Sequence, residues 1–167
     1  LKTSPGDLEA KLMLANAFRF TDRREEAITC YENLLPDSPG GEAKQTVDGL
    51  GEVYIQKRDL NSAAALFEKF LLKEPENIPI RLRLGEIQGW IKNYPRAIEN
   101  FQKVLSLDPE NRDAKEKMAR VLKWNKEYKK AEALFKEVLK QDASKIYLYT
   151  ELAELLIWDN RSREALT

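Results

Sequence analysis

Apolar residues recur along this chain at helical spacing, in segments that short polar turns separate. Between Ile78 and Asn111 this pattern predicts two amphipathic helices with a turn at positions 92–95. Alanine marks the same place in successive units, at Ala27, Ala63, Ala97, Ala131 and Ala165. The last four are 34 residues apart, and the first precedes the second by 36. A fixed period of this length is typical of proteins built from stacked helical repeats.

The repeat divides the chain into units that we expect to form a single domain. Their approximate bounds are 8–41, 44–77, 78–111, 112–145 and a partial unit at 146–167. Four full units and part of a fifth predict nine complete helices and the beginning of a tenth. The two extra residues of the 36-residue spacing fall near Gly40, where they either lengthen a loop or extend the next helix. The chain opens on Leu1 rather than Met, which suggests a piece of a longer protein.

Each unit places a large apolar residue and a small residue in its first helix, then an alanine, an aromatic residue and a proline. In the second unit these are Leu50-Gly51, Ala63, Phe67 and Pro75. This order resembles the signature of the tetratricopeptide repeat, which implies an all-α, right-handed α-α superhelix. Two positions depart from the signature: Gln88 occupies an aromatic position, and Ala143 replaces a proline.

Helix packing explains the small residues independently of the family resemblance. Two helices can approach closely where both carry small side chains, and we expect Gly85 of one helix to be buried against Ala97 of its neighbour. The aromatic residues then fill the gap to the next unit. These rings belong to Tyr31, Phe67, Phe101 and Phe135.

Composition argues against several classes of function. Lys plus Arg and Asp plus Glu both number 28, so no net field favours nucleic acid. The chain has no His and only Cys30, which disfavours an acid–base or thiolate catalytic site, a disulfide and a metal centre. We therefore predict no enzyme, no cofactor and no membrane segment. Eleven Lys and Arg residues lie within 112–145, where we expect a solvated surface.

Tryptophan follows the repeat. Trp90, Trp124 and Trp158 are 34 residues apart, and Phe20 and Gln56 hold the same place in the first two units. The family resemblance implies that the first helices line a concave groove with this end facing a ligand. One turn earlier the groove would carry a mostly acidic row, interrupted by an arginine. That row consists of Asn16, Glu52, Glu86, Arg120 and Glu154. The alternative is that each indole packs in the core between helices.

The predicted function is a scaffold that binds a protein or peptide segment in this groove. Polysaccharide binding stays open, because the segment around Trp124 also resembles tetratricopeptide regions of bacterial exopolysaccharide export systems. Self-association stays open too, since we expect Leu152, Leu155 and Leu156 to lose their cover at the incomplete fifth unit. The sequence does not name the partner, and it leaves cytoplasm and bacterial periplasm open as compartments.

Overall fold

A computed structural model describes residues 5–36 and 40–159 of the chain. Within those residues the chain forms nine α-helices and no strand. The helices are α1 (Pro5–Phe20), α2 (Arg24–Leu34), α3 (Gly40–Gln56), α4 (Leu60–Leu71), α5 (Ile78–Trp90), α6 (Tyr94–Leu107), α7 (Arg112–Trp124), α8 (Tyr128–Gln141) and α9 (Ile146–Trp158). The all-α repeat fold that the sequence predicts is confirmed.

The helices follow the predicted repeat, with odd-numbered helices as the first and even-numbered helices as the second member of each pair. The predicted tenth helix falls on positions 160–167, which lie outside the described residues. Helix α3 has 17 residues where α5 and α7 have 13, so the extra residues near Gly40 extend a helix. The chain divides into two compact units, one with α1–α4 and one with α5–α9. The assignment of one domain stays a prediction.

Side-chain caps fix where several helices begin. Asn77 Oδ1 accepts a hydrogen bond from the Ile80 amide at 3.2 Å, and Asn111 Oδ1 accepts one from the Ala114 amide at 2.9 Å. Each satisfies an amide that has no partner within its own helix. The caps sit one period apart, so the first helices α5 and α7 start in the same register.

In the first repeat the core forms around Tyr31, which is fully buried. Its hydroxyl donates to Asn16 Oδ1 on α1 at 2.8 Å, which satisfies the one polar atom of the ring. A Cβ on Gly49 of α3 would lie 2.5 Å from the ring, so this glycine makes room for it. Tyr31 therefore joins its own repeat to the next one, as the sequence predicts.

Phe67 and Phe101 fill space inside their own repeats, and Phe101 also reaches the next repeat, where it shares a core cluster with Val121 of α7. Each ring lies against the glycine of the first helix in its own repeat, Gly51 for Phe67 and Gly85 for Phe101. A Cβ on Gly85 would be 2.7 Å from the Phe101 ring, and no atom of Ala97 is as near. Gly85 and Ala97 are both buried, as predicted, and the contact between the two stays a prediction.

The last helix is better covered than the sequence predicts. Leu148, Leu155 and Leu156 are buried in one cluster with Phe135 and Leu139 of α8. The expectation that Leu155 and Leu156 lose their cover is therefore wrong, because both side chains pack into the cluster that α8 supplies. The large apolar side chains of α9 that are exposed are Ile146, Tyr147, Tyr149, Ile157 and Trp158.

The turn inside each described helix pair contains one residue with a left-handed backbone. These residues are Asp22 (φ 61°), Arg58 (φ 60°), Lys92 (φ 63°) and Lys126 (φ 63°). Such a conformation costs an L-residue about 1–2 kcal/mol that glycine avoids, although glycine also gains freedom in the unfolded chain. The first four repeats, whose turns the structure describes, thus carry mild backbone strain at the same place.

We predict that Lys126→Gly raises the free energy of unfolding by about 0.5–1 kcal/mol, measured by urea denaturation. Ala133→Gly is the control, because Ala133 is exposed within α8 and glycine there should cost about 1 kcal/mol. Destabilisation by both substitutions would contradict this account of the turn.

Candidate functional site

Each tryptophan is the last residue of its helix, Trp90 of α5, Trp124 of α7 and Trp158 of α9. Their side chains are 47%, 37% and 51% exposed. Indoles packed in the core would be covered. The alternative in which each indole packs between helices therefore does not describe this structure. Large apolar side chains exposed at repeated positions are a feature of binding surfaces. We call this surface, formed by the three indoles and the ends of α5, α7 and α9, the tryptophan face.

Neighbouring helices support two of the indoles. Gly89 of α5 is so close to α7 that a Cβ there would lie 3.5 Å from Trp124 Cζ3. The ammonium group of Lys123 lies 4.9 Å from the centre of the Trp158 ring, within cation–π range. Trp124 and Trp158 are therefore held against the helix on one side while part of each ring stays exposed.

A buried carboxylate, Glu116, joins α7 to the start of α9. Glu116 accepts hydrogen bonds from Lys145 Nζ at 2.8 Å and from the Tyr147 hydroxyl at 2.7 Å. Its other oxygen pairs with Arg120 at 2.8 Å. A buried charge is tolerated only when it is paired and hydrogen-bonded, and three donors satisfy this one.

Further ion pairs extend the network in both directions. Lys123 pairs with Glu151 at 2.6 Å and with Glu154 at 3.0 Å on α9, although its own side chain is almost completely buried. Arg120 also reaches Glu151, at 3.1 Å. On the other side, Lys117 pairs with Glu86 of α5 at 2.6 Å. Four cations and four carboxylates thus join α5, α7 and α9. They are Lys117, Arg120, Lys123, Lys145, Glu86, Glu116, Glu151 and Glu154.

The pairing shifts the protonation equilibria around Glu116. Burial alone raises the pKa of Glu116, but the hydrogen bonds from Lys145 and Tyr147 and the charge of Arg120 outweigh burial, so this pKa is lowered. The hydrogen bond to Glu116 raises the pKa of Lys145. Burial and the same carboxylate raise the pKa of Tyr147. All three groups are therefore held in the charge states that the network needs at neutral pH.

In the first compact unit, the residues predicted to line the groove each have different surroundings. Asn16 is occupied by the Tyr31 hydroxyl. Phe20, at the end of α1, is largely exposed and has the Arg19 guanidinium 4.2 Å from its ring centre. Glu52 is half-buried and Gln56 is exposed at the end of α3. This unit has no tryptophan, so it offers one exposed aromatic residue at this register where α5–α9 offer three.

The structure changes the interpretation of the charged residues. The predicted acidic row is not a free anionic surface, because Glu86 and Glu154 are paired with lysines. The prediction of a solvated lysine surface over 112–145 is wrong for Lys115 and Lys123, which are buried. Both lie on α7 with carboxylates of neighbouring helices within reach, and opposite charge stabilises their burial. Glu151 on α9, one turn before Leu155, is the ion-pair partner of Arg120 and Lys123 that the sequence analysis did not single out.

The described ranges, 5–36 and 40–159, contain no group of three or more His, Cys, Asp or Glu side chains able to hold a metal ion. None of their helices combines the length and the apolar character needed to cross a bilayer.

Comparison with known proteins identifies the repeat. One tetratricopeptide repeat model matches residues 92–150, and another matches residues 12–43, together more than half of the chain. The chain belongs to the tetratricopeptide repeat family. Proteins with this repeat are generally non-catalytic scaffolds for protein–protein interaction. The sequence matched no curated protein.

Solved structures show the same fold. A tetratricopeptide repeat protein from Parabacteroides merdae ATCC 43184 has a TM-score of 0.84 and 18% identity, over 98% of this chain and 63% of that one. The MamA protein has a TM-score of 0.83 and 20% identity, over 95% and 86% of the two chains. MamA from Desulfovibrio magneticus RS-1 has a TM-score of 0.84 and 15% identity, over 95% and 89%. This chain spans less than two thirds of the Parabacteroides protein, and identities this low establish the fold alone.

Proposed function

We propose that this tetratricopeptide chain is a non-catalytic scaffold that binds a peptide or protein segment on the tryptophan face. The observation that carries the proposal is the exposure of three indoles at the same end of α5, α7 and α9. Tryptophan is the residue most enriched among those that dominate binding energy at protein interfaces. A shared register gives a segment that crosses these helices an aromatic contact at each of them.

The charges around the indoles define the chemistry of the partner. Because the lysines and arginine of α7 are already paired with glutamates, a strongly charged segment gains no free counter-charge from them. An uncharged segment with apolar or aromatic side chains avoids breaking those pairs. The proposed ligand is therefore a peptide that presents apolar anchors at intervals and has few charges.

The same pairing argues against polysaccharide as the ligand. Indole rings stack on sugar rings as well as on apolar side chains, but a sugar site also needs polar groups that take the hydroxyls. Glu86 and Glu154 each precede a tryptophan by one helical turn, and each already accepts a hydrogen bond from a lysine. We keep oligosaccharide binding as an outcome of the test.

To test the proposal, the chain is panned against a phage-displayed library of random linear peptides, and selected peptides are titrated by calorimetry. Trp124→Ala should weaken binding by about tenfold or more, because a central interface tryptophan is worth about 2 kcal/mol or more. Leu72→Ala is the matched control, since Leu72 is an exposed apolar residue that is not part of the tryptophan face. Circular dichroism confirms that both variants fold.

Equal peptide affinity in wild type and Trp124→Ala would overturn the proposal. So would a library that yields no binder while glucosamine oligomers bind wild type and not Trp124→Ala. That second result would assign the tryptophan face to carbohydrate.

A further inference from the structure

The first compact unit contains a cavity between the end of α2, the first half of α3 and the second half of α4. It has a volume of about 400 Å³ and is partly open to solvent. This volume falls within the range of small-molecule sites, about 300–1,000 Å³. The walls are mainly apolar and are formed by Leu35, Pro36, Ala43, Val47, Leu66 and Phe70.

The repeat register explains why this space is open. Val47 and Leu66 lie 34 residues before Arg81 and Asn100, which hold the same positions in the next repeat. There Arg81 Nη1 donates a hydrogen bond to Asn100 Oδ1 at 3.2 Å, so a long side chain crosses the equivalent space between α5 and α6. Val47 is too short to cross between α3 and α4, and the side chain of Leu66 offers no acceptor.

The repeat of α7 and α8 fills the equivalent space in another way. Lys115, two periods after Val47, pairs with Glu137 of α8 at 2.5 Å. Two repeats thus join their first and second helices with a polar pair where α3 and α4 leave a space with apolar walls. Side chains that border an empty space lose dispersion contacts, and a ligand of matching shape restores them.

Two lysines lie beside the cavity. Lys69 and Lys73 are one turn apart on α4, line the cavity, and have exposed side chains. The next repeat has Lys103 and Leu107 at these positions, so it lacks the second positive charge. A pair of ammonium groups one turn apart therefore coincides with the apolar cavity of the first compact unit.

The remaining charged residue of the lining is Glu74. Two lysines and one glutamate give the lining a net charge of +1, which matches a ligand with one negative charge. Because Lys69 and Lys73 are exposed while Val47 and Phe70 are buried, the charge of such a ligand belongs at the solvent side and its apolar part inside.

We propose that this cavity binds a small aliphatic carboxylate, with its carboxylate beside Lys69 and Lys73 and its hydrocarbon chain against Val47, Leu66 and Phe70. The proposal does not depend on the tryptophan face or its ligand, because every lining residue belongs to the first compact unit.

Octanoate is the probe, titrated into the chain with labelled methyl groups and followed by two-dimensional carbon–proton NMR. The methyl signals of Ala43, Val47 and Leu66 should shift. Octanoate should bind more tightly than 1-octanol and octylammonium, which have the same hydrocarbon chain with no charge or the opposite charge. Shifts confined to methyl groups outside the cavity, or equal affinity for all three compounds, would overturn the proposal.

Removing the charges tests the carboxylate site. The double variant Lys69→Gln with Lys73→Gln should bind octanoate about fivefold more weakly and 1-octanol as wild type does, because it removes charge from exposed positions. Lys103→Gln is the matched control, since Lys103 is an exposed lysine at the position equivalent to Lys69. Wild-type octanoate affinity in the double variant would show that the lysines take no part, contrary to the proposal.

Filling the space tests the apolar site. Val47→Arg with Leu66→Asn copies the bridge of Arg81 and Asn100 into this repeat, and it should weaken binding of both octanoate and 1-octanol by tenfold or more. Undiminished binding by this variant, once circular dichroism shows that it is folded, would overturn the proposal. The lysine variants change exposed residues only, so they test the proposal even if the filled variant does not fold.

Discussion

Replacing Gly85 with leucine should destabilise the second compact unit by about 2–3 kcal/mol or more. A Cβ at this position would lie 2.7 Å from the ring of Phe101, closer than van der Waals contact allows. Phe101 is itself fully buried, so its ring has no free space into which it can retreat. The gain in helix propensity from removing glycine, about 1 kcal/mol, is smaller than this cost. Urea denaturation followed by circular dichroism measures the change.

Ala133→Leu is the control, because Ala133 is an exposed residue in the interior of α8. The same side chain placed there meets no ring and should change stability by less than about 0.5 kcal/mol. Wild-type stability in Gly85→Leu would mean that the assigned contact between α5 and α6 is wrong. A further variant, Gly85→Leu with Phe101→Leu, should recover part of the loss, since the clash involves the ring.

Glu116→Gln should lower the free energy of unfolding by roughly 2–3 kcal/mol at pH 7, because it removes the charge on which three donors converge. Glutamine has the same shape, so the loss reports charge and not packing. The substitution leaves Lys145 without its ion pair and leaves Arg120 only Glu151. The measurement is urea denaturation at pH 7 and at a series of acidic pH values.

The acid dependence follows from the lowered pKa of Glu116. Since the folded chain holds this carboxylate below its ordinary pKa of 4.5, the unfolded chain takes up the proton first as the pH falls. The stabilisation is complete above that value and is lost as the pH falls through the folded-state pKa. Glu116→Gln should therefore be less stable than wild type at neutral pH and lose less stability on acidification.

The exposed pair of Arg23 and Glu26 in the first compact unit supplies the control. Glu26→Gln should leave stability at pH 7 almost unchanged, because water already screens that pair. If Glu116→Gln behaved like Glu26→Gln, the network of α7 and α9 would not contribute to stability.

The repeat made the helices predictable. The alanines at 34-residue spacing fixed the order of helix pairs, and the tryptophans at the same spacing fixed which residues end α5, α7 and α9. Their exposure was one of two alternatives that sequence left open. A tryptophan at a helix end fits the 34-residue spacing whether a neighbouring helix covers it or not. Its exposure could therefore be decided only from the packing in the structure, such as that of Trp124 against α5.

Side-chain pairing between repeats was not predictable in the same way. Lys115 and Lys123 look like surface residues in a lysine-rich segment, and their burial depends on glutamates 22 to 31 residues away. Polar positions give no periodic signal that tells a solvated charge from a paired one. The packing of α9 was misjudged for a related reason, because Leu155 is covered by the cluster that α8 shares with it.

The central claim, that the tryptophan face binds a peptide segment, is tested most directly by the three indole N–H signals in a two-dimensional nitrogen–proton NMR spectrum. The chain has three tryptophans, and Trp90→Phe, Trp124→Phe and Trp158→Phe assign their signals. On titration with a selected peptide, we predict that the indole signals shift or broaden together with backbone amides at the ends of α5, α7 and α9. Unchanged indole signals, with shifts confined to other residues of the same spectrum, would contradict the account.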